Sequence, residues 1–280
     1  MPEYYVHDID PFIFHFPEWM QIGPLKGVPW YGFSYLMGFV VAFYLMEKLR
    51  RDGFFPLKSR LETENFVSYY LVFGVIVGGR LGHIIFYQPE IFFDNPLNVF
   101  AVWQGGMASH GGIIGVIIAI YIYCKKKGYD LFRVLDSVSM ATIPGLGFGR
   151  VANFINGEYA GRVTDVPWAV IFPKTFDNLP RHPAQLYQAL GEGLFMFIML
   201  WFVLPRNRFK SGFHFAAFFV FYGIQRIFTE TFRETSSELE SMFSFLTQGQ
   251  LLSVMMILFG IWLFIYTQYQ RSPKQPETAK

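Results

Sequence analysis

Two runs of this sequence place an arginine inside a stretch that is otherwise apolar enough to cross a lipid bilayer: Gly149-Arg150-Val151-Ala152-Asn153-Phe154-Ile155-Asn156-Gly157-Glu158 and Tyr222-Gly223-Ile224-Gln225-Arg226-Ile227-Phe228-Thr229-Glu230. A guanidinium near the bilayer centre costs roughly 2.5 to 3.5 kcal/mol even on lenient insertion scales, so it is stable there only beside an anionic partner. Arg150 and Arg226 together therefore predict a buried site for an anion.

The composition is that of an integral membrane protein. Of the 280 residues, 52% are hydrophobic, 20% are aromatic and only 16% are charged, against about 25% charged residues in globular proteins. The formal charge of +2 is too small to indicate a nucleic-acid surface, and the sequence has no basic block interleaved with aromatic residues. We therefore expect no nucleic-acid partner.

The single cysteine, Cys124, excludes a disulfide framework and a cysteine-rich metal site. It lies directly before a run of three lysines at the end of an apolar stretch. A small apolar residue packed near a membrane surface is more common at such a position than a nucleophile. We expect neither a metal ion nor a soluble cofactor.

Seven apolar stretches are each long enough for a transmembrane helix, which needs about 20 residues. The fourth is the least regular, because Pro144 and several glycines interrupt it; such breaks are tolerated where neighbouring protein satisfies the freed backbone groups. The pattern predicts an all-α polytopic membrane protein with seven transmembrane helices. We place them near residues 31–47, 67–87, 110–124, 134–156, 183–204, 212–232 and 250–269.

Lysine and arginine are distributed unequally between the two ends of these stretches. Most of the 23 follow spans one, three and five or lie in the C-terminal tail, whereas the opposite segments hold only Lys26, Arg162, Lys174, Arg181 and Arg233. Because positive residues collect on the cytoplasmic side, we expect the N-terminus outside and the C-terminus in the cytoplasm.

This orientation brings most polar residues of the spans into the outer half of the membrane. The inner half holds only Glu47, Arg133 and Asp136, near helix ends, where snorkelling or an i,i+3 pair explains them. The residues expected in the middle or outer portions are Arg80, His83, His110, Arg150, Asn153, Gln185, Gln188, Glu192, Arg226 and Glu230.

The segments outside the spans are short. Residues 1–30 have the aromatic density typical of an arm in the outer membrane interface, and residues 158–182 are expected to form a small cap on the same face. Residues 270–280 have the composition of a cytoplasmic tail. Since none of these segments forms an independent domain, we interpret residues 1–280 as a single integral membrane domain.

The sixth span carries one polar stripe. Tyr222, Arg226, Glu230 and Arg233 recur at i, i+4, i+8 and i+11, so they share one helix face. Glu230 is the one obvious carboxylate partner for the two arginines. The alternative to a binding site is an ion pair between Arg226 and Glu230 that only fixes helix packing.

The fourth span has a second polar face. Arg150, Asn153 and Gly157 are spaced i, i+3 and i+7, and Asn156 and Glu158 follow near the outer surface. The glycines allow a ligand or another backbone to approach closely. The alternative is a glycine-mediated helix contact with a capping asparagine.

Two further runs approach from the outer side. The first is Trp103-Gln104-Gly105-Gly106-Met107-Ala108-Ser109-His110-Gly111-Gly112. His110 lies at a helix N-terminus, where the dipole favours a neutral imidazole that accepts a proton, although a lone membrane histidine is often structural. The second run, Arg181-His182-Pro183-Ala184-Gln185-Leu186-Tyr187, either lines the site or caps the fifth helix.

These runs resemble one family. The run from Gly149 to Gly161 is similar to the signature of the bacterial phosphatidylglycerol:prolipoprotein diacylglyceryl transferases. The segment ending in His110-Gly111-Gly112, the run His182-Pro183-x-Gln185-Leu186-Tyr187 and the run Tyr222-Gly223-x-x-Arg226 resemble the same family in the same order. Two positions depart from its pattern: Gln188, where glutamate is more common, and Ala184, where a hydroxyl residue is common.

The resemblance implies transfer of a diacylglyceryl group from phosphatidylglycerol to the lipobox cysteine of a preprolipoprotein, at the outer face of the cytoplasmic (inner) membrane. A thioether forms and glycerol phosphate leaves, which is the first step of bacterial lipoprotein maturation. Carried over by motif position, the residues implied in activity or lipid binding are His110, Arg150, Asn153, Glu158, Gly161, Tyr222, Arg226 and Glu230.

The residues themselves agree with this chemistry. Negative charge develops on the leaving phosphate ester, and Arg150 and Arg226 supply fixed cations for it. The nucleophile is the substrate thiol, with an ordinary pKa of about 8.5, so a nearby base helps to form the thiolate; His110 is the candidate.

Two other classes fit less well. A retinal-binding seven-helix protein needs a Schiff-base lysine, and the seventh stretch has none. A transporter needs a polar route across the bilayer, whereas the polar residues here stop in the outer half.

Overall fold

The structure is a computed structural model that describes residues 4–21, 26–94, 96–101, 106–174, 177–234 and 247–270. Within these residues it contains seven helices of 18 residues or more. In chain order they are α1 (Trp30–Arg51), α2 (Arg60–Tyr87), α3 (Ser109–Lys127), α4 (Leu131–Asn156), α5 (Ala184–Val203), α6 (Phe213–Glu230) and α7 (Gln248–Ile265, continued by Tyr266–Gln270). Short helical turns lie at Glu18–Met20, Ile91–Asp94 and Pro96–Phe100.

Each long helix covers one of the predicted apolar stretches. The largest difference is at α2, which begins at Arg60 rather than near residue 67. The reason is a polar first turn: the Ser59 hydroxyl caps the helix by accepting a hydrogen bond of 3.1 Å from the Glu62 backbone N–H. A search for apolar residues cannot detect this turn, because capping depends on side-chain oxygens.

Four of these helices are long and apolar enough to cross a membrane: α1, α2, α5 and the 249–270 part of α7. The chain is therefore a mostly helical, multi-pass membrane protein. The other three helices carry more polar residues, such as the lysines that end α3 and Arg226 in α6. The count of seven spans and the location of the termini stay predictions.

The chain divides into two compact units, residues 1–42 with 138–280 and residues 43–137. In the smaller unit α2 and α3 meet through glycines. A Cβ atom added at Gly78 would lie 2.7 Å from the Gly115 Cα, and one at Gly82 would lie 2.7 Å from the Gly111 Cα. This small-residue contact is typical of membrane helices, and its four-residue spacing is a sequence signal that our prediction did not include.

The structure is mostly helical, as predicted, but the described residues also include five short strands, three before α1 and two between α4 and α5, which the all-α prediction missed. β1 pairs in parallel with β4, which pairs antiparallel with β5, and β2 pairs antiparallel with β3. Strands of two to four residues are too short to show a periodic pattern. The strands are β1 (Tyr5–Val6), β2 (Phe12–His15), β3 (Gly27–Pro29), β4 (Val170–Ile171) and β5 (Pro180–Arg181).

The sheet explains how the predicted cap is ordered. β1 belongs to the N-terminal arm, whereas β4 and β5 belong to the segment 158–182, so the arm supplies an edge strand to the cap. His7, directly after β1, is buried with its ring against Phe154 and Phe172, and burial lowers the pKa of this imidazole. The predicted tail beyond residue 270 lies outside the described residues.

The polar groups predicted near helix ends in the smaller unit have local partners. The Arg50 Nε donates a hydrogen bond of 2.7 Å to Glu47, which confirms an i,i+3 pair. The guanidinium of Arg133 lies 3.9 Å from the centre of the Phe54 ring, a cation–π contact.

Candidate active site

Arg150 of α4 faces Glu192 of α5. The Arg150 Nε donates a hydrogen bond of 2.9 Å to the Glu192 Oε2; the Glu192 side chain is fully buried, and that of Arg150 is 24% exposed. Glu192 lies in a π-helical turn, a distortion often found at functional sites. Glu230 was the one obvious carboxylate partner expected for the two arginines; it pairs with Arg226, but for Arg150 the expectation was wrong, because Arg150 pairs with Glu192. Pairing between helices depends on how each is rotated, which spacing within one helix does not reveal.

Two glycines bring α4 and α5 close enough for this contact. A Cβ atom at Gly193 would lie 2.7 Å from the Gly147 Cα, so any larger residue would separate the two backbones. Gly147 is about one helical turn before Arg150, and Gly193 follows Glu192 directly. A glycine-mediated helix contact is therefore present, and the same contact brings the two charged groups together.

The polar residues of α6 extend this ion pair, and the contact between Arg226 and Glu230 confirms that this i,i+4 pair shares one face. Arg233 was predicted on the same helix face, and this was wrong: α6 ends at Glu230, and Arg233 lies in the following segment, where it forms an isolated bridge with Gly161. The Arg226 Nη1 lies 3.8 Å from the Glu192 Oε1, and its Nη2 lies 3.2 Å from the Glu230 Oε2. Arg233 donates a hydrogen bond of 3.2 Å to the same Glu230 oxygen. Tyr222 lies close enough to Arg150 to interact with its guanidinium. We call the alternating series Arg150–Glu192–Arg226–Glu230–Arg233 the charge network.

Glu230 is also placed against the first turn of α7. A Cβ atom added at Gly249 would lie 2.6 Å from the Glu230 Oε1. A helix N-terminus carries a partial positive charge that favours a carboxylate, and α7 begins with a capping box formed by Thr247 and Gln250. Glu230 is thus held by two guanidinium groups and one helix end.

The outer end of α4 holds the next predicted group. The Asn153 amide donates a hydrogen bond of 3.1 Å to the Glu158 Oε2, and the Asn156 amide donates one of 3.3 Å to the Oε1. Gly157, which lies between Asn156 and Glu158, has a φ of +72°. This left-handed conformation ends the helix and reverses the chain direction. The Gln185 amide donates a hydrogen bond of 2.6 Å to the Glu158 carbonyl, which ties this turn to the start of α5.

Tyr31 is a residue near Glu158 that the sequence pattern did not indicate. It lies in the first turn of α1, where its hydroxyl is 3.3 Å from that of Tyr35. The Tyr31 hydroxyl is also close enough to Glu158 to interact with it electrostatically. A tyrosine at the end of a membrane helix is common as an interfacial anchor, so nothing in its position distinguished it.

Gly161 lies where three backbone segments cross. Its N–H donates a hydrogen bond of 2.8 Å to the His182 carbonyl, and its own carbonyl accepts one of 3.0 Å from the Arg181 Nη1. A Cβ atom at this position would lie 2.7 Å from the His182 Cβ. The close approach explains the glycine, and its predicted part in lipid binding stays a prediction.

The run that begins at Arg181 connects the cap to α5. Arg181 contacts Asp177 at 2.8 Å and also pairs with Glu234; the guanidinium lowers the pKa of the Asp177 carboxyl. The Tyr187 hydroxyl accepts a hydrogen bond of 2.7 Å from the Trp168 indole and lies 3.1 Å from the His182 Nδ1. Burial lowers the pKa of the His182 imidazole.

This run therefore caps the fifth helix, as one of the two interpretations predicted. α5 begins at Ala184, directly after Pro183. Proline is favourable at the start of a helix, because a backbone N–H there would have no hydrogen-bond partner within the helix. The other interpretation, that the run lines the site, stays a prediction; Gln185 donates its hydrogen bond to the backbone carbonyl of Glu158.

His110 lies in the first turn of α3, as predicted, and its side chain is exposed. It belongs to the smaller unit, where the segment before it is held by Arg80. The Arg80 guanidinium donates hydrogen bonds of 2.6 Å to the Asn98 carbonyl and 3.2 Å to that of Val99. The predicted residues Trp103, Gln104 and Gly105 lie outside the described residues. The role of His110 as a base stays a prediction.

Among the described residues, no three histidine, cysteine, aspartate or glutamate side chains come together in an arrangement for a metal ion. Cys124 is buried near the end of α3, beside the lysines, within the smaller unit. Fold and site together define a multi-pass membrane protein that holds a network of guanidinium and carboxylate groups among apolar helices.

Comparison with known proteins narrows this class. Residues 17–266 match the family model of the prolipoprotein diacylglyceryl transferases. The phosphatidylglycerol--prolipoprotein diacylglyceryl transferase of Azospirillum brasilense is 41% identical over 268 residues, 95% of this chain and 96% of its own. The enzyme of the same name from Rickettsia bellii is 42% identical over 264 residues (93% and 96%), and that of Bordetella parapertussis is 41% identical over 251 (90% and 95%). The chain belongs to the prolipoprotein diacylglyceryl transferase family.

Proposed function

We propose that this enzyme transfers the diacylglyceryl group of phosphatidylglycerol to the thiol of the lipobox cysteine of a preprolipoprotein. The family and the names of the relatives support the reaction. The observation in the structure that supports it most is the charge network, because Arg150 and Arg226 are partly exposed, at 24% and 18%, beside the fully buried Glu192. Each guanidinium thus keeps donors for a lipid phosphate.

The proposed membrane arrangement follows the distribution of charge. All seven long helices span the cytoplasmic (inner) membrane, with the N-terminus outside and the C-terminus in the cytoplasm. The chain then acts as one integral membrane domain, and the charge network faces the outer leaflet. The position of each helix over a predicted stretch supports this arrangement, as does the cap between α4 and α5, which lies on the side with few lysines.

The reaction exchanges one bond for another. The lipobox sulfur forms a bond to the glyceryl carbon, the bond from that carbon to the phosphate oxygen breaks, and the electron pair leaves with glycerol phosphate. Arg150 and Arg226 bind the phosphate and stabilise the developing charge. His110 accepts the thiol proton.

The remaining predicted residues support these groups. Tyr222 orients Arg150, Glu230 orients Arg226, and Asn153 holds Glu158, each through the contacts described above. Gly161 maintains the backbone crossing that fixes the outer end of the site. Their contribution to lipid binding is thus mostly preorganisation, since fixed donors need no rearrangement when charge develops.

The direct test uses the purified protein in mixed micelles with phosphatidylglycerol and a lipobox peptide. We expect mass spectrometry to detect a peptide that carries one diacylglyceryl group in thioether linkage, together with released glycerol phosphate. A peptide with serine in place of the cysteine is the control and should stay unmodified. Transfer without release of glycerol phosphate, or an unmodified cysteine peptide, would contradict the proposal.

A further inference from the structure

One face of α5 carries three polar side chains that are almost completely buried. Gln185, Gln188 and Glu192 are 0%, 1% and 0% exposed, and they follow one another at i, i+3 and i+7 on the same side of the helix. This face is directed toward Arg150, because the Glu192 carboxylate accepts a hydrogen bond from the Arg150 guanidinium. We call these three residues the α5 polar ladder.

Each member of the ladder has one buried polar atom without a hydrogen-bond partner among the described residues: the Gln185 Oε1, the Gln188 Nε2 and the Glu192 Oε1. For Gln185 the other end of the amide is engaged with the Glu158 carbonyl. The Glu192 Oε1 lies 3.8 Å from the Arg226 Nη1, which is too long for a hydrogen bond. A buried polar atom without a partner costs about 1 to 3 kcal/mol, so three together indicate a place for a polar ligand.

The unpaired atoms specify the chemistry of that ligand. Two of them, the Gln185 Oε1 and the Glu192 Oε1, are acceptors, and the Gln188 Nε2 is a donor. A hydroxyl group both donates and accepts, so a pair of neighbouring hydroxyls offers both kinds of partner that these atoms lack. A phosphate offers only acceptors at neutral pH and does not match the two acceptor atoms.

Phosphatidylglycerol carries such a pair next to its phosphate, in the headgroup that leaves as glycerol phosphate. With the phosphate at Arg150 and Arg226, the headgroup begins beside Glu192, and one or two helical turns correspond to about 5 to 11 Å along α5. Gln188 is one turn from Glu192, and Gln185 is two turns away. The ladder therefore has the reach as well as the chemistry for the headgroup.

We propose that the α5 polar ladder binds the hydroxyl groups of the leaving glycerol and so selects phosphatidylglycerol over phosphodiester lipids whose headgroup has no diol. The inference rests on the proposed function, because it requires the lipid phosphate at the two arginines. The inference also gives a role to Gln188, where glutamate is more common in the family. The Gln188 amide can donate a hydrogen bond to a hydroxyl, which a carboxylate cannot. A site built to bind a hydroxyl discriminates strongly against an analogue without one, because its own polar groups are then left unpaired.

The test compares two lipids and two variants. Phosphatidylpropanol has the same phosphodiester and acyl chains as phosphatidylglycerol but no headgroup hydroxyls. We expect wild-type kcat/KM to be at least about 100-fold higher for phosphatidylglycerol. Gln188→Leu should lower kcat/KM for phosphatidylglycerol by about 10- to 100-fold and change it for phosphatidylpropanol by less than about threefold, so the selectivity collapses.

Matched controls separate this role from folding. Gln88→Leu makes the same substitution at an exposed residue after α2 and should leave the selectivity unchanged. Gln188→Asn keeps the amide and should retain more selectivity than Gln188→Leu at equal thermal stability. If Gln188→Leu lowers the rates with both lipids equally, the ladder is only structural and the inference is wrong.

Failure of the inference is distinguishable from failure of the proposed function. Equal use of both lipids by the wild-type protein would overturn the inference alone, because transfer itself would be intact. Transfer from neither lipid would overturn the proposed function and this inference with it.

Discussion

Arg226→Lys is the substitution that most directly tests the charge network. The two terminal nitrogens of Arg226 contact two different carboxylates, Glu192 at 3.8 Å and Glu230 at 3.2 Å. A lysine ammonium is a single point charge at the end of a flexible chain, so it cannot contact both carboxylates and also present a donor to a phosphate. The charge is kept, and only the geometry of the donors is lost.

The magnitude follows from the contacts. A hydrogen bond to a charged group contributes about 1.5 to 3 kcal/mol, and each 1.4 kcal/mol corresponds to a tenfold change. Loss of one such interaction in the transition state should therefore lower kcat/KM for phosphatidylglycerol by about 10- to 150-fold. Arg226 is 18% exposed, so solvent replaces only part of what is lost.

The assay is steady-state transfer to a lipobox peptide, normalised to folded protein by size-exclusion chromatography and thermal unfolding in detergent. Arg60→Lys is the matched control, because Arg60 and Glu64 also form an i,i+4 ion pair, with both side chains about half exposed. Such exposed pairs contribute little, so Arg60→Lys should stay near the wild-type rate. If Arg226→Lys remains within about threefold of wild type, the two-carboxylate geometry is not required for phosphate binding.

Three other substitutions test separate parts of the proposal. Cys124→Ser should retain most activity, since Cys124 is buried beside the lysines of α3; a covalent lipid on Cys124 in turnover would refute this. His110→Gln should slow transfer by about 10²- to 10⁴-fold with unchanged lipid binding, and the loss should shrink as the pH approaches the thiol pKa of about 8.5; an unchanged rate and pH profile would make His110 structural. Gly161→Ala should cost about 1 to 3 kcal/mol of stability, because its Cβ would lie 2.7 Å from that of His182; an unchanged unfolding temperature would contradict the proposed crossing.

The features that could be predicted from the sequence are those that depend on a single helix. The positions of the helices followed from apolar length, and the shared face of Arg226 and Glu230 followed from the 3.6-residue period. Both are local properties of the chain, and the contact of 3.2 Å between Arg226 and Glu230 confirms the second. Arg233 lies beyond the end of α6, so the helical period does not account for its contact with Glu230. His110 at the start of α3 was predicted on the same basis.

Contacts between helices were not predictable in the same way. Glu192 was assigned to the middle of the fifth span, but its pairing with Arg150 depends on the rotation of α5, which the approach at Gly147 and Gly193 determines. The strand β1 was missed because its partner, β4, is far away in the sequence. A strand of two residues is too short to show a periodic pattern, so its distant partner cannot be predicted from it. The four-residue spacing of glycines in α2 and α3, in contrast, could have predicted the contact between these helices.

The charge balance of the network connects its structure to the proposed reaction. Three guanidinium groups and two carboxylates leave an excess of one positive charge in the series from Arg150 to Arg233. An uncompensated charge among apolar helices is unfavourable, and the phosphate of a phosphodiester lipid supplies a single negative charge. In the proposed reaction, binding of the lipid neutralises the network, and Glu192 and Glu230 hold the arginines in place before the lipid binds. The two carboxylates thus lower the affinity of the arginines for the lipid phosphate. They also fix the guanidinium donors that stabilise the negative charge developing on the leaving glycerol phosphate. Such an arrangement is expected of a site that binds the transition state more tightly than the substrate.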